Sequence, residues 1–383
     1  MFCADPSFSA EVPCLMKTAT VVLMGLALLL TACNSATNLS TPQNAVRSYN
    51  ATASVGDFVT ISIDSNAQTI TYENRTNGES GTVPYTVNSD GSYTITDPNG
   101  NLLSAYEVPG SVMVVEAANA GPNRDTDALM TAVQSVPASI SSFAGQNFNY
   151  IQFRTRDGGV EFGNVTIDAQ GNISSRSYDP GAIMWSQGTY FNGGTFVASA
   201  IHEDASGNFF TIDEQDGSTS TVFGTENGLW AVDNSNGTIL GLAKASSKSF
   251  NPAVAGTYSA IYCEKANAQM QPDQTETGTP LEGKATITVS SGGAVTITDS
   301  QNSVMATGTL TPVADVSYLY DGTANTLPDP CYGMFTFQTV TSSLHQEVFV
   351  SFQGNAVLFT SFQTALPVLN NATYMYFYGV GLK

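Results

Sequence analysis

One short stretch of the sequence combines side chains that could do acid–base chemistry. His202, Glu203 and Asp204 are consecutive and lead into Ala-Ser-Gly. An imidazole beside carboxyl groups can act in general acid–base catalysis. In a chain with 32 acidic and 12 basic residues, adjacent charges are more typical of a solvated strand end. The only other histidine, His345, is distant, and the G-x-S-x-G elbow of serine hydrolases is absent. The sequence therefore predicts no catalytic residue, no transition-metal site and no cofactor.

Aspartate-rich stretches could supply oxygen ligands to calcium. The two densest are Asp213–Gly217 and Asn123–Asp127. Neither continues to the acidic residue that completes an EF-hand, and calcium needs six to eight converging oxygens. Hairpin turns use Asp and Asn for backbone reasons alone. We therefore interpret these stretches as turns.

An uncharged aromatic segment, Gly181–Gly194, is the candidate ligand-binding element. It contains Trp185, Tyr190 and Phe191 among four glycines. If the segment is a loop, its aromatic faces could stack on sugar rings or apolar ligands. The alternative is a strand followed by an Asn-Gly-Gly turn, with the aromatic side chains in the core.

The start of the sequence carries one apolar run in an otherwise polar chain. Ala19–Ala32 is 14 residues long, well short of the ~20 residues that a membrane-spanning helix needs. Lys17 precedes it, and small residues and Cys33 end it. These features fit a secretory signal. Because the leading residues are acidic, we expect Met16 to be the true start.

Read from Met16, the segment MKTATVVLMGLALLLTAC resembles a bacterial lipoprotein signal peptide, with the lipobox Leu-Thr-Ala-Cys. The resemblance implies cleavage before Cys33 and lipidation of that cysteine. It also implies a location in the cell envelope, and Asn34 in place of Asp favours the outer membrane. The alternative is an ordinary cleaved signal with an incidental cysteine.

The remaining cysteines follow from this processing. Cys3 and Cys14 lie in the removed part and Cys33 carries lipid, which leaves Cys263 and Cys331 for an oxidising compartment. We expect a disulfide between them. Two buried thiols are the alternative, because the sequence does not show how closely their backbones approach.

The charge of the chain excludes several partners. The net charge is −20, and it becomes −19 after loss of the signal, which contains one lysine and two acidic residues. Nucleic-acid binding needs clustered Lys and Arg, and so does electrostatic attraction to anionic lipids. We therefore expect no nucleic-acid partner and attachment to the membrane through the lipid anchor alone.

Most of the sequence alternates with a period of two. Short runs rich in β-branched and aromatic residues are separated by Asn-Gly and Asp-Gly signals every ~10 residues, which is typical of hairpins. We predict an all-β fold of antiparallel meanders that form two β-barrel or β-sandwich-like units, with one short connecting helix. A membrane-spanning barrel is the alternative, although the strands look shorter than the ~10 residues such barrels use.

The predicted domain order has six parts. A spurious extension and signal peptide occupy 1–32, the lipidated cysteine and a flexible tether 33–55, and the first β region 56–118. A helix-containing connection at 119–148 begins at Asp125 or Asp127 and stops at Pro137. A second β region at 149–246 and a C-terminal β domain at 255–383 complete the chain.

These features favour a lipid-anchored, extracytoplasmic, non-catalytic binding or surface-interaction module. Its candidate ligands are a glycan, a small molecule or a protein. The alternative is an extracytoplasmic hydrolase of polysaccharide or peptide that uses carboxyl groups, whose required separation only a folded structure can show.

Overall fold

The computed structural model confirms an all-β fold built from antiparallel strands. It describes residues 45–383 except 98–99, 121–125, 154–159, 179–189, 197–199, 215–216, 226–227, 235–236, 268–280, 316, 321–322, 327–330, 341–343 and 366–373. Within the described part of the chain, no helix is both long and apolar enough to span a bilayer.

The first eight strands form a closed barrel in which each strand pairs with its chain neighbour. The pairing of β1 with β8 closes the ring. The strands are β1 Val46–Ala53, β2 Asp57–Asp64, β3 Thr69–Asn74, β4 Ser80–Val87, β5 Tyr93–Thr96, β6 Leu102–Val108, β7 Val112–Ala120 and β8 Thr126–Gln134.

The second barrel follows a short helix, α1, at Ile140–Phe143. Its first strand, β9, pairs with its last, β17. The two edges of the sheet, β12 and β13, are consecutive in the chain. Only five peptide units join Phe196 to Ile201, so these edges lie within about 18 Å of each other. The strands are β9 Asn147–Phe153, β10 Val160–Ile167, β11 Ile173–Tyr178, β12 Tyr190–Phe196, β13 Ile201–Glu203, β14 Phe210–Asp213, β15 Thr219–Gly224, β16 Leu229–Asn234 and β17 Gly237–Ala243.

The third barrel is a nine-stranded sheet of the same arrangement, in which the first strand, β18, pairs with the last, β28. One residue separates β21 from β22, and these two strands pair with β20 and β25 on opposite sides. The strands β23 and β24 form a separate two-stranded sheet. The strands are β18 Gly256–Asn267, β19 Leu281–Val289, β20 Ala294–Asp299, β21 Val304–Thr309, β22 Thr311–Pro312, β23 Ser317–Tyr320, β24 Thr323–Thr326, β25 Met334–Val340, β26 Leu344–Gln353, β27 Ala356–Ala365 and β28 Tyr374–Leu382.

The buried hydrophobic residues form four clusters, because successive side chains of a strand point to opposite faces of its sheet. One cluster fills each barrel, and inward residues of a strand occur at every second position, as Ile61 and Ile63 do in β2. The fourth cluster contains outward-facing residues of all three barrels. It includes two stacked ring pairs between the second and third barrels, Phe153–Tyr378 at 4.1 Å and Phe162–Phe349 at 4.5 Å. The three barrels therefore pack on one shared core.

Aspartate in the hairpin turns binds the backbone of its own turn. In the β10–β11 turn, Asp168 Oδ1 accepts hydrogen bonds from Gln170 N–H and Asn172 N–H. Hydrogen bonds from the Asn172 side chain and backbone lower the pKa of Asp168. The glycine of the turn, Gly171, has φ +83°, which a side chain would make unfavourable. The predicted backbone role of these turns is confirmed here.

The structure differs from the predicted organisation in three places. The sequence predicts a tether up to residue 55, but Val46–Ala53 is β1, whose inward side chains Tyr49 and Ala51 are buried. It predicts a helix from Asp125 or Asp127, but Thr126–Gln134 is β8, which is needed to close the first barrel. The short helix forms later, at α1. The sequence also predicts two barrel or sandwich units, and the structure has three barrel-type sheets.

Candidate ligand-binding cavity

An apolar cavity of about 70 Å³ lies inside the second barrel. Eleven of its fourteen described lining residues are aliphatic or aromatic, because the inward positions of seven strands and one helical residue meet there. The lining residues are Phe143, Phe148, Tyr150, Val165, Ile167, Ile173, Ser175, Ile212, Glu214, Ser220, Val222, Trp230, Val232 and Ile239.

Helix α1 supplies the wall at one end of the barrel. Its N-cap, Ser139, forms a reciprocal capping box with Ser142, which satisfies backbone donors of this single turn. Phe143 is 1 % exposed, and its ring centroid lies 5.8 Å from that of Phe148 and 5.9 Å from that of Phe210. The helix is therefore held in place by one aromatic side chain inserted into the barrel.

Trp230 forms another part of the cavity wall, and its indole nitrogen lies against the neighbouring strand. Its indole lies over Gly241 on the paired strand β17, where a Cβ atom would come within 2.0 Å of Nε1. The ring of Phe148 meets it edge-on at 5.3 Å. Trp230 is 6 % exposed, and its Nε1–H has no hydrogen-bond partner among the described residues. Such a buried donor typically costs about 1–3 kcal/mol of stability.

The polar groups of the cavity lie away from α1. Ser220 Oγ donates a hydrogen bond of 2.7 Å to Glu214 Oε1, and Ser175 lies on a neighbouring wall. None of the described lining residues is basic. The cavity therefore has an apolar body and one acidic, hydrogen-bonding end.

These dimensions and this chemistry fit a small apolar molecule. Apolar cavities in proteins tend to exclude water, and an engineered cavity of about 150 Å³ binds benzene. The cavity has about half that volume, so its occupant has roughly three non-hydrogen atoms or is the apolar end of a larger molecule.

A larger but more polar groove lies on the outer face of the first barrel. It has a volume of about 740 Å³ and runs between β1–β3 and the Asp204–Phe209 turn. Hydroxyl groups such as those of Thr60 and Thr71 dominate it. One of its aromatic rings, that of Phe209, packs edge-on against Phe58 with a centroid distance of 5.1 Å. Because ligand sites are typically apolar clefts with few polar groups, the cavity of the second barrel is the stronger candidate.

Two of the aromatic residues predicted from the sequence lie on a strand of the same barrel. Tyr190 and Phe191 begin β12, where they pair with Tyr178 and Ser177 of β11. The predicted Asn-Gly-Gly turn lies inside β12, next to a register shift. Trp185 and the side chains of Tyr190 and Phe191 lie outside the described residues, so their role in ligand binding stays a prediction.

The acid–base candidate is a surface pair. His202 Nε2 lies 2.9 Å from Asp213 Oδ2 across β13 and β14, and both side chains are more than half exposed. Exposed pairs of this kind contribute about 0–1 kcal/mol. Among the described residues, no group of three or more His, Cys, Asp or Glu side chains could hold a metal ion.

Two carboxyl groups are buried together where the first and second barrels meet. Asp57 is 4 % exposed and Asp233 is 6 % exposed. Thr52 donates a hydrogen bond of 2.6 Å to Asp233 Oδ1. Burial raises the pKa of Asp233 strongly, and the nearby Asp57 raises it further. The pair lies in a packed contact, so it does not supply the carboxyl-lined cleft that a hydrolase needs.

The predicted cysteine chemistry stays a prediction. Cys33 lies outside the described residues. Cys263 and Cys331 are 1 % and 0 % exposed and belong to the shared core. Asn164 Nδ2 lies 3.6 Å from Cys331 Sγ. No disulfide is present among the described residues.

No protein-family model matches the sequence, and no curated protein sequence matches it. Solved structures with detectable likeness include a double mutant of transferrin binding protein B from Haemophilus parasuis Hp5. Its sequence is 9 % identical and the TM-score is 0.25, and the match covers 89 % of this chain and 77 % of that one. Isotype 1 transferrin binding protein B from serogroup B Neisseria meningitidis is 12 % identical with a TM-score of 0.19, covering 85 % of this chain and 66 % of that one. Values this low carry no information about a shared ligand.

Proposed function

We propose that this protein is a lipid-anchored, extracytoplasmic binding protein without catalysis, and that its second barrel binds a small apolar molecule. The observation that carries the binding role is the apolar cavity behind α1, between Phe143 and Trp230. Barrels of this size often enclose either packed side chains or one small ligand. The lipobox at Cys33 supports the anchor and a location at the outer membrane.

Binding of a small hydrocarbon tests the cavity directly. We expect propene to bind in the second barrel and to shift the methyl resonances of Ile167, Ile173 and Ile212, which line the cavity. The methyl resonances of Ile297, which is buried inside the third barrel, should not move. Titration of the methyl-labelled protein, followed by NMR, measures both sets at once.

A matched pair of variants locates the binding site. Ile212→Phe fills the cavity and should abolish the shifts, whereas Ile297→Phe adds the same volume to the third barrel and should preserve them. Because overpacking destabilises cores by about 1–3 kcal/mol, a second variant is needed in case the first does not fold. Ile212→Ala enlarges the cavity and should admit benzene. Shifts that do not saturate, or that are equal in both barrels, would exclude this function.

A further inference from the structure

We infer that the ligand of the second barrel is a primary amine with a short alkyl chain, whose ammonium group binds the carboxylate of Glu214. This inference rests on the proposed binding function and adds the chemical class of the ligand. The alkyl chain occupies the apolar cavity, and Glu214 selects a cation over a neutral or an anionic molecule. Glu214 thereby becomes the specificity-determining residue of the site.

The position of Glu214 places its carboxylate at the cavity. Phe210 and Ile212 of β14 point into the barrel, and Glu214, two residues further on, lies on the same face and lines the cavity. Ser220, which also lines the cavity and is 1 % exposed, donates a hydrogen bond of 2.7 Å to Glu214 Oε1. Because this donor lies inside the barrel, its acceptor lies at the same wall. The carboxylate is therefore the polar end of an otherwise apolar cavity.

The second oxygen of Glu214 is available to a ligand. Oε2 accepts no hydrogen bond from the described residues, and this half-buried side chain leaves it accessible. No Lys, Arg or His is present among the described residues that line the cavity. The described side-chain partner of the carboxylate, the Ser220 hydroxyl, is neutral and uses Oε1. An accessible carboxylate oxygen without a counter-charge favours a cation that donates hydrogen bonds.

The charge of the protein favours the same class of ligand. The net charge of the chain is −20, and a field of this sign raises the local concentration of cations. A carboxylate ligand would instead place a second negative charge beside Glu214 in an apolar site. Burial of such an unpaired charge is strongly unfavourable. The site therefore discriminates against short fatty acids and favours amines.

Three molecules of one size separate these contributions. Propene, ethanol and ethylammonium each have three non-hydrogen atoms, which suits a cavity of about 70 Å³. Propene reports on the apolar cavity alone, ethanol adds a neutral hydrogen-bond donor, and ethylammonium adds a charged one. The methyl resonances of Ile173 and Ile212, which line the cavity, report on the binding of all three.

The decisive measurement compares the dissociation constants of these molecules for the protein and for its Glu214→Gln variant at pH 7. Ethylammonium binding should weaken about tenfold, because a hydrogen bond to a charged group becomes one to a neutral amide. Propene and ethanol binding should change little, since the amide keeps both the volume and an acceptor. Glu203→Gln is the matched control, because it removes the same charge from an exposed position on β13 and should preserve ethylammonium binding.

The salt dependence of binding keeps the inference testable if Glu214→Gln does not fold. Raising sodium chloride from about 0.01 M to about 1 M shortens the Debye length from about 30 Å to about 3 Å. This change should weaken ethylammonium binding severalfold and should not weaken propene binding. Ethylammonium that does not bind, that binds equally to Glu214→Gln, or that is insensitive to salt would overturn the inference, and propene binding would then still support the proposed function. Absence of propene binding would reject the proposed function itself.

Discussion

Glu347 places a carboxyl group in a fully buried position on β26. Its side chain is 0 % exposed, and the Thr336 hydroxyl donates to Oε1. Its Oε2 has no hydrogen-bond partner among the described residues. Burial is the main cause that raises the pKa of Glu347 to about 7. This single residue therefore makes the stability of the third barrel depend on pH.

Replacement of Glu347 by Gln should stabilise the protein at pH 8 and have little effect at pH 4. Below about pH 4.5 the carboxyl is protonated in the folded and the unfolded chain, so it contributes no pH dependence. As pH rises to about 7, the unfolded chain loses the proton first and stability falls. The pKa of Glu347 rises from 4.5 in the unfolded chain to about 7 in the folded chain, and this difference corresponds to about 3 kcal/mol of stability lost at pH 8.

Thermal unfolding of Glu347→Gln at both pH values measures this difference. The exposed Glu203→Gln on β13 is the matched control, because it removes the same charge from a solvated position. If Glu347→Gln stabilised the protein equally at pH 4 and pH 8, ionisation of Glu347 would not be the cause of the pH-dependent stability.

Cys263 and Cys331 are expected to form a disulfide when the protein is produced in an oxidising compartment. Cys263 and Cys331 lie in the same cluster of the shared core, which brings both sulfurs into one region of the molecule. Mass spectrometry of non-reduced peptides should find the two cysteines linked. Alkylation of both thiols in unfolded, periplasmically produced protein would contradict the bond.

At the scale of elements, the strand pair β16–β17 depends on a glycine opposite a tryptophan. Trp230 and Gly241 are directly paired, and a Cβ at Gly241 would collide with the indole at 2.0 Å. Gly241→Ala should therefore displace the ring, destabilise the barrel by roughly 1–3 kcal/mol and weaken binding of propene.

Calorimetry and near-ultraviolet circular dichroism should detect this displacement of the indole. Gly292→Ala is the control, since the nearest atom to its added Cβ, Ser290 Oγ, is 3.9 Å away. Gly292 lies in the turn before β20, outside the second barrel. Equal stability of the two variants would mean that the indole can move without cost.

The strands could be predicted from the sequence because each one carries its own signal. Alternation marks inward positions, as in Ile61 and Ile63, and turn residues such as Gly171 mark the reversals. Thr126–Gln134 carries a weaker signal, because both faces of β8 are buried and alternation is lost. Its residues Ala-Leu-Met-Thr-Ala-Val have good helix propensity, which the pairing with β1 and β7 overrides.

The cavity could not be predicted, because it depends on register between distant strands. The sequence shows that Trp230 lies in a strand, but not that Gly241 lies opposite it or that Phe143 of α1 closes the same space. Glu214 and Ser220 look like ordinary residues of a hairpin turn. A tryptophan and a glycine on adjacent predicted strands would be the only local hint.

At the scale of the whole molecule, Cys33 is expected to carry the membrane anchor. The prediction rests on the lipobox Leu30 to Cys33. Cys33→Ala should move the protein from the membrane fraction to the soluble fraction, because stable anchoring needs more than one acyl chain. Fractionation followed by immunoblotting measures the distribution, with Cys263→Ala as the control that retains the anchor. Retention of the Cys33 variant in the membrane fraction would contradict the prediction.

The contact between the first and second barrels contains a second pH-dependent element. Asp233 accepts a hydrogen bond from Thr52, whose hydroxyl also lies 2.8 Å from Thr238 Oγ1. Asp57 lies nearby on β2, and burial is the main cause that raises the pKa of both carboxyl groups. A raised pKa in the folded state means that stability is greatest while both groups are protonated and falls as pH rises.

Asp233→Asn should therefore stabilise the contact at pH 8 and flatten its dependence on pH, because the amide keeps an acceptor for Thr52 without a buried charge. Hydrogen exchange of the backbone amides of β1 and β16 reports on this contact, with the amides of β20 in the third barrel as the internal control. If the charges of Asp57 and Asp233 oppose each other, the stabilisation by Asp57→Asn should shrink once Asp233 is already Asn. Additive effects of the two substitutions would instead show that each carboxyl group is destabilised by burial alone. If Asp233→Asn left the pH dependence of stability unchanged, the pair would not be the cause of that dependence.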